Sequence, residues 1–133
     1  MRNFLLFACL AALIAGCSDN EAAEDKMERA AETGATVAGS LPAALGLSEA
    51  QLLDADIVGT DGEELGDVAQ VLRGPDDKVD RLLVELDGGL NDRYIHVPIT
   101  GLKAVNHGGE TDLETPLTKA NLAALPEVKL PPP

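Results

Sequence analysis

Asp61-Gly62-Glu63-Glu64-Leu65-Gly66-Asp67-Val68, then Gly74-Pro75-Asp76-Asp77, then Val79-Asp80-Arg81-Leu82-Leu83-Val84-Glu85-Leu86 are the stretches that decide the fold. Asp-Gly and Gly-Pro-Asp-Asp are turn formers, since glycine takes positive φ freely while proline and aspartate preset tight turns. Between them, Gly66 to Arg73 alternates, which predicts Val68, Gln70 and Leu72 on one face and Ala69 and Val71 on the other. Val79 to Leu86 alternates as well, with Leu82, Val84 and Leu86 on the apolar face and Arg81 and Glu85 opposite. Two alternating runs joined by a short turn pair as a hairpin.

Working outward, Asp87-Gly88-Gly89 breaks the chain, and Arg93 to Ile99 alternates again with Ile95, Val97 and Ile99 inward. Leu102 and Val105 extend the apolar set, Asn106-His107-Gly108-Gly109 is a turn, and Thr111 to Thr115 is a short strand. On the N-terminal side, Ile57 and Val58 read as a first strand entering the core. Thr118 is an N-cap for Lys119 to Leu125, with Leu117 and Leu122 placed as a hydrophobic staple. Pro126 ends that helix. Prolines have no N–H to donate, so the end of the chain, 128–133, reads as a mobile Pro-rich tail. The fold class is mostly β, a small barrel over 48–127 closed by a short C-terminal helix.

These residues carry a resemblance. Leu52-Leu53 leading to Ile57-Val58-Gly59, the Asp61 to Val68 turn, the Val79 to Leu86 strand, Tyr94-Ile95-His96-Val97-Pro98 and the helix ending at Pro126 together look like a PRC-barrel domain. That family includes the cytoplasmic part of the photosynthetic reaction centre H subunit and the C-terminal domain of a ribosome maturation factor. Ile99-Thr100 departs from the aromatic residue that many members carry after Val-Pro. The resemblance implies a docking or assembly domain without catalysis of its own.

The N-terminus reads as an export signal. Met1-Arg2-Asn3 supplies one positive charge, and Phe4 to Ala15 is an uncharged apolar run of twelve residues. A membrane-crossing helix needs about twenty. Ile14-Ala15-Gly16-Cys17 then gives way to Ser18-Asp19, which resembles a bacterial lipobox with cleavage between Gly16 and Cys17 and lipidation of the Cys17 thiol. Residues 1–16 are thus expected to be a signal peptide. Cys9 would leave with it, so the mature chain would keep a single cysteine, a liability in an oxidising envelope unless acylated. Multiple acyl chains hold a protein stably on a membrane. The expected location is the bacterial envelope, lipid-anchored through Cys17 and facing the periplasm, with Ser18 favouring the outer membrane. Residues 17–47, rich in Glu, Ala, Gly and Ser with only an alanine stripe for an apolar face, read as a flexible or weakly helical tether. A helix docking on a partner is the alternative there.

Charge excludes one class of partner. The chain has 23 acidic against 10 basic side chains, a formal charge of −13, and aromatics make up only 2% of it. Such a surface repels phosphate backbones and lacks stacking platforms, so nucleic acid is not an expected partner. Removing the signal takes away Arg2 and no acid, leaving the mature chain more acidic still.

Chemistry finds little purchase. Asp54-Ala55-Asp56-Ile57-Val58-Gly59 begins like a calcium loop but fails at Val58 and at Leu65, where oxygen ligands are needed. Asp61, Glu63, Glu64 and Asp67 form an acidic edge that a solvated turn explains simply. His96 should point outward from its strand and His107 lies in a turn, and neither has metal-site spacing. No nucleophile motif or phosphate-binding loop occurs. Arg73, Lys78 and Arg81 gather around one hairpin, either as a docking patch for an acidic partner or an anionic headgroup, or as charges that keep strand edges soluble. The expectation is a non-enzymatic envelope module with an unidentified protein partner and neither metal nor other cofactor. The alternative is an envelope enzyme or metal-dependent hydrolase using Asp54, Asp56, Glu64 and His96, which requires those side chains to converge.

Overall fold

The computed structural model describes residues 19–88 and 92–131. In chain order the elements are α1 (Asp19–Ala38), β1 (Pro42–Ala44), β2 (Leu47–Ser48), α2 (Glu49–Leu53), β3 (Asp56–Val58), β4 (Glu64–Arg73) and β5 (Val79–Leu86). Then come β6 (Arg93–Pro98), a 3-10 turn (Ile99–Gly101), β7 (Lys103–His107), β8 (Glu110–Glu114), α3 (Lys119–Ala123) and β9 (Glu127–Val128). Seven strands form one sheet in the order β7-β8-β3-β4-β5-β6-β9, antiparallel except for the β3–β8 pair. The β4–β5 hairpin and the inward set Ile95, Val97 and Ile99 stand where the alternation predicts them, whereas the turn expected over 106–109 narrows to Gly108-Gly109 because Asn106 and His107 pair within β7. One apolar core draws Ile57, Leu82, Ile95 and Leu113 from four strands, Leu52 from α2 and Leu122 from α3, each fully buried. Thr118 caps α3 in a reciprocal box with Asn121, satisfying two backbone donors that a helix start leaves open.

Strand β4 departs from simple alternation. Val68 pairs with Val84 and Gln70 with Leu83, so Ala69 is the extra residue of a β-bulge. The bulge inverts the side-chain phase. Val71, opposite Leu82, joins Val68 in the core, while Gln70 and Leu72 turn to the outer face. The expectation that Val68, Gln70 and Leu72 share one face is therefore corrected.

The outer face of β4, β5 and β6 is not left to water. Leu83 and Tyr94 are buried there, yet neither belongs to the central core. Their cover is α1, which packs on β4 and α2. Ala23, Ala31 and Ala35 are buried with half-buried Met27 between them, a seam recurring every four residues along one side of the helix. The tether expected over 17–47 is corrected here: 19–38 is one 20-residue helix seated on the barrel. Alanines bury little area themselves, but they let the helix approach closely enough to shield a leucine and a tyrosine.

The rest of that segment is also ordered by pairing. β1 and β2 form a hairpin whose turn, Leu45-Gly46, has positive φ at both residues. Ser48 then caps α2 with Gln51 in a second reciprocal box. At the other end, Val128 pairs with Tyr94 through β9, so the tail expected to be mobile from 128 begins as an edge strand. The expected signal peptide, Gly16 and Cys17 lie outside the described residues.

Candidate functional site

Two carboxylate groupings and one basic grouping are built onto the outer surface of the sheet. In the first, Asp56 on β3 pairs directly with Asp67 on β4. A second bulge, at Leu65, places Val58 opposite Glu64 where Ile57 is opposite Gly66. Glu64 and Asp67, three apart and so on opposite sides of a regular strand, thereby come to the same side. Oxygens of Asp56, Glu64 and Asp67 lie within 4.8 Å of one another. The Asp56 carboxyl is raised to about 6 by burial first, then by a hydrogen bond with Asp67 and by the charges of Glu64, Asp67 and Asp112. Asp112 on the neighbouring strand is itself engaged by the Nδ1 of His107 at 3.0 Å. Oxygen ligands at this spacing suit a hard cation, although exposed carboxylates meet in this way without one.

The second grouping lies in a groove of about 340 Å³ along one flank of α1. Glu24, Glu28 and Glu32 of the helix face Asp54, Asp67 and Glu85 of the barrel across a floor that includes Met27, Val68 and Tyr94. The Tyr94 phenol donates a hydrogen bond to Glu24, and burial and the charges of Glu85 and Glu24 push its ionisation up. Glu24 and Glu85 both have raised carboxyls, in each case through burial first and Asp92 next.

The opposite flank carries the other sign. Lys26, Arg81, His96 and Lys129 line a groove of about 350 Å³ floored by Met27, Leu72 and Leu83. Burial, then the neighbouring Arg81, hold the His96 imidazole below its usual range. Sequence proximity had grouped Arg81 with Arg73 and Lys78. In the structure Arg73 is taken up by Glu49 at 3.0 Å and by the carbonyl of Asp77 at 2.9 Å, and Arg81 by Asp80 at 2.7 Å. Lys78 stands exposed in the turn. Arg73 lines a different groove, with Glu49 and the C-terminal end of α1, so the hairpin cations do not line one surface.

The four residues of the hydrolase alternative separate similarly. Asp56 and Glu64 meet, Asp54 lies in the acidic groove, and His96 lies across α1 in the basic one. The alternation had placed His96 outward correctly, but Glu24, Glu85 and Tyr94 were not singled out. The available signal was the helical spacing: Glu24, Glu28 and Glu32 recur every four residues, with Lys26 on the far side of the seam.

A family model for the PRC-barrel domain matches residues 48–113, from the cap of α2 to the core leucine of β8. This is a PRC-barrel domain. PRC-barrel domains are in general non-catalytic interaction modules. No curated protein matches the chain significantly in sequence. In this chain α1 precedes the PRC-barrel domain match and α3 and β9 follow it, so helix cover, end closure and one sheet edge are supplied from outside it. Among the described residues no helix is long and apolar enough to cross a membrane.

Proposed function

We propose that this chain is a lipid-anchored, envelope-exposed protein whose PRC barrel serves as an interaction or assembly module with no catalytic activity of its own. The observation that carries the reading is the PRC-barrel match together with the way charged groups are spread over its surface. Asp54, Asp56, Glu64 and His96, the residues best suited to acid–base or metal chemistry, occupy three different places. Within the barrel the space is filled by packed aliphatic side chains, and no buried side-chain polar atom among the described residues lacks a partner. The lipobox-like Ile14-Ala15-Gly16-Cys17 supports the anchor, and the acidity of the exported part supports a surface that is held off anionic headgroups.

Mass spectrometry of the protein purified from membranes tests the anchor: the expected species begins at Cys17 and carries acyl chains. An unmodified Cys17, or recovery of the wild-type chain in the soluble fraction, overturns it. Crosslinking in intact cells tests the module. A defined crosslinked partner is expected, and recovery of monomer alone under conditions that preserve other envelope complexes counts against the reading.

A further inference from the structure

Helix α1 is charge-segregated about its small-residue seam, and each flank faces its own sign. Glu24, Glu28 and Glu32 look onto Asp54, Asp67 and Glu85. Lys26 looks onto Arg81, His96 and Lys129. Among the described residues, neither groove has a lining side chain of the opposite charge. Arg81 and Lys129 do have partners, Asp80 at 2.7 Å and Glu127 at 3.2 Å, but these are largely exposed pairs that contribute little. The contacts that hold α1 down include three alanines, one methionine and the hydrogen bonds of Glu24 with Tyr94 and Asp92. Burial first and then the neighbouring Asp92 raise the carboxyls of Glu24 and Glu85, and burial and then Arg81 lower the imidazole of His96, so each flank adds like charge to a partly buried face.

We propose that the outer face of β4, β5 and β6 is the docking surface for a partner protein's helix, one with a similar small-residue seam but with its charges exchanged, and that α1 is a displaceable occupant of that surface. A helix bringing Lys or Arg against Asp54, Asp67 and Glu85, and Asp or Glu against Arg81, His96 and Lys129, converts both repulsive flanks into attractive ones. The apolar contact with Leu83 and Tyr94 would be kept. The grooves on either side of α1 are where the partner's charges lie. This deepens the interaction-module reading and rests on it.

Net charge alone must not decide the test, because any cationic peptide is drawn to a chain of charge −13. Two labelled 20-residue helical peptides of identical composition are therefore compared, both carrying the α1 seam with other charged positions replaced by glutamine. One has lysine at the positions of Glu24 and Glu28 and glutamate at those of Lys26 and Ala30; the other has the two residue types exchanged. With the full wild-type chain, the first should bind at least about tenfold more tightly and should speed amide hydrogen exchange across 19–38 while leaving the central strands protected. Combining Glu85→Lys with Arg81→Glu should reverse the order of the two peptides. Equal binding of both, binding of neither, or binding that leaves exchange in 19–38 unchanged overturns the proposal. Cellular crosslinks that map to another face of the barrel would overturn it too, yet leave the interaction-module reading standing; absence of any crosslinked partner would instead remove that broader reading.

Discussion

Asp56 and Asp67 stand directly across from each other on β3 and β4, with their carboxyls joined by a hydrogen bond and Glu64 alongside. Burial first, and then this bond, which needs a proton between the two carboxyls, raise Asp56 to about 6. An unfolded aspartate releases its proton near 3.9. The folded state therefore holds the proton more tightly, and stability falls as pH rises from about 4 through 6. Asp67→Asn should raise stability at pH 8 by about 0.5–1 kcal/mol, since burial supplies the largest share of the shift and solvent screens the rest, and should change it little at pH 4. Urea midpoints at the two pH values check this, and an equal gain at both would show that repulsion is not the cause.

Gly66 lies against the backbone of β5. A Cβ there would collide with the carbonyl oxygen of Glu85 and press on Cγ1 of Val84 at 3.0 Å. Since one of the obstructing atoms is backbone, Gly66→Ala should cost about 1–3 kcal/mol. Gly101, which has nothing within 4 Å of the corresponding position, is the control. Its alanine variant should stay within about 0.5 kcal/mol of wild type. Thermal melts of the pair decide the matter.

The Ala69 bulge makes a prediction that plain alternation reverses. Val71 is buried in the core and Leu72 lies on the outer face beside α1. Val71→Ala should lose about 2 kcal/mol, and Leu72→Ala less, although leucine is the larger side chain. Denaturant unfolding of the two single variants would refute the bulge if Leu72→Ala were the more damaging.

Glu49 is nearly buried, and its carboxylate meets Arg73 at 3.0 Å. Arg73→Ala should cost about 1–3 kcal/mol, because it strands a desolvated charge. Adding Glu49→Gln should restore much of that loss. A double-mutant cycle measures the coupling directly; additive effects would mean that the pair contributes nothing.

Local patterning made the β5 and β6 faces, a turn at Gly108-Gly109 and the Thr118 cap legible, since each depends on neighbours a few residues away. The bulges at Leu65 and Ala69 were not legible, because an extra residue in one strand is defined only by what the other strand offers opposite it. Helix α1 failed to declare itself for a related reason. Its alanines carry too little hydrophobicity to signal burial alone, and the Leu83 and Tyr94 that reward their approach lie about sixty residues further along the chain. The grouping of Arg81 with Lys26 and Lys129, and not with Arg73, likewise depends on that tertiary contact.

The docked helix also sets how far the domain can travel. Its first residue, Asp19, is two positions beyond Cys17. If the chain is anchored at Cys17 as proposed, a seated α1 leaves only one residue between anchor and helix, and its 20 residues are a rigid strut of about 30 Å laid along the barrel. Unseated and extended, the same residues span up to about 70 Å. A partner that took the place of α1 would thus pay out line as it bound, turning a fixed mounting into a mooring.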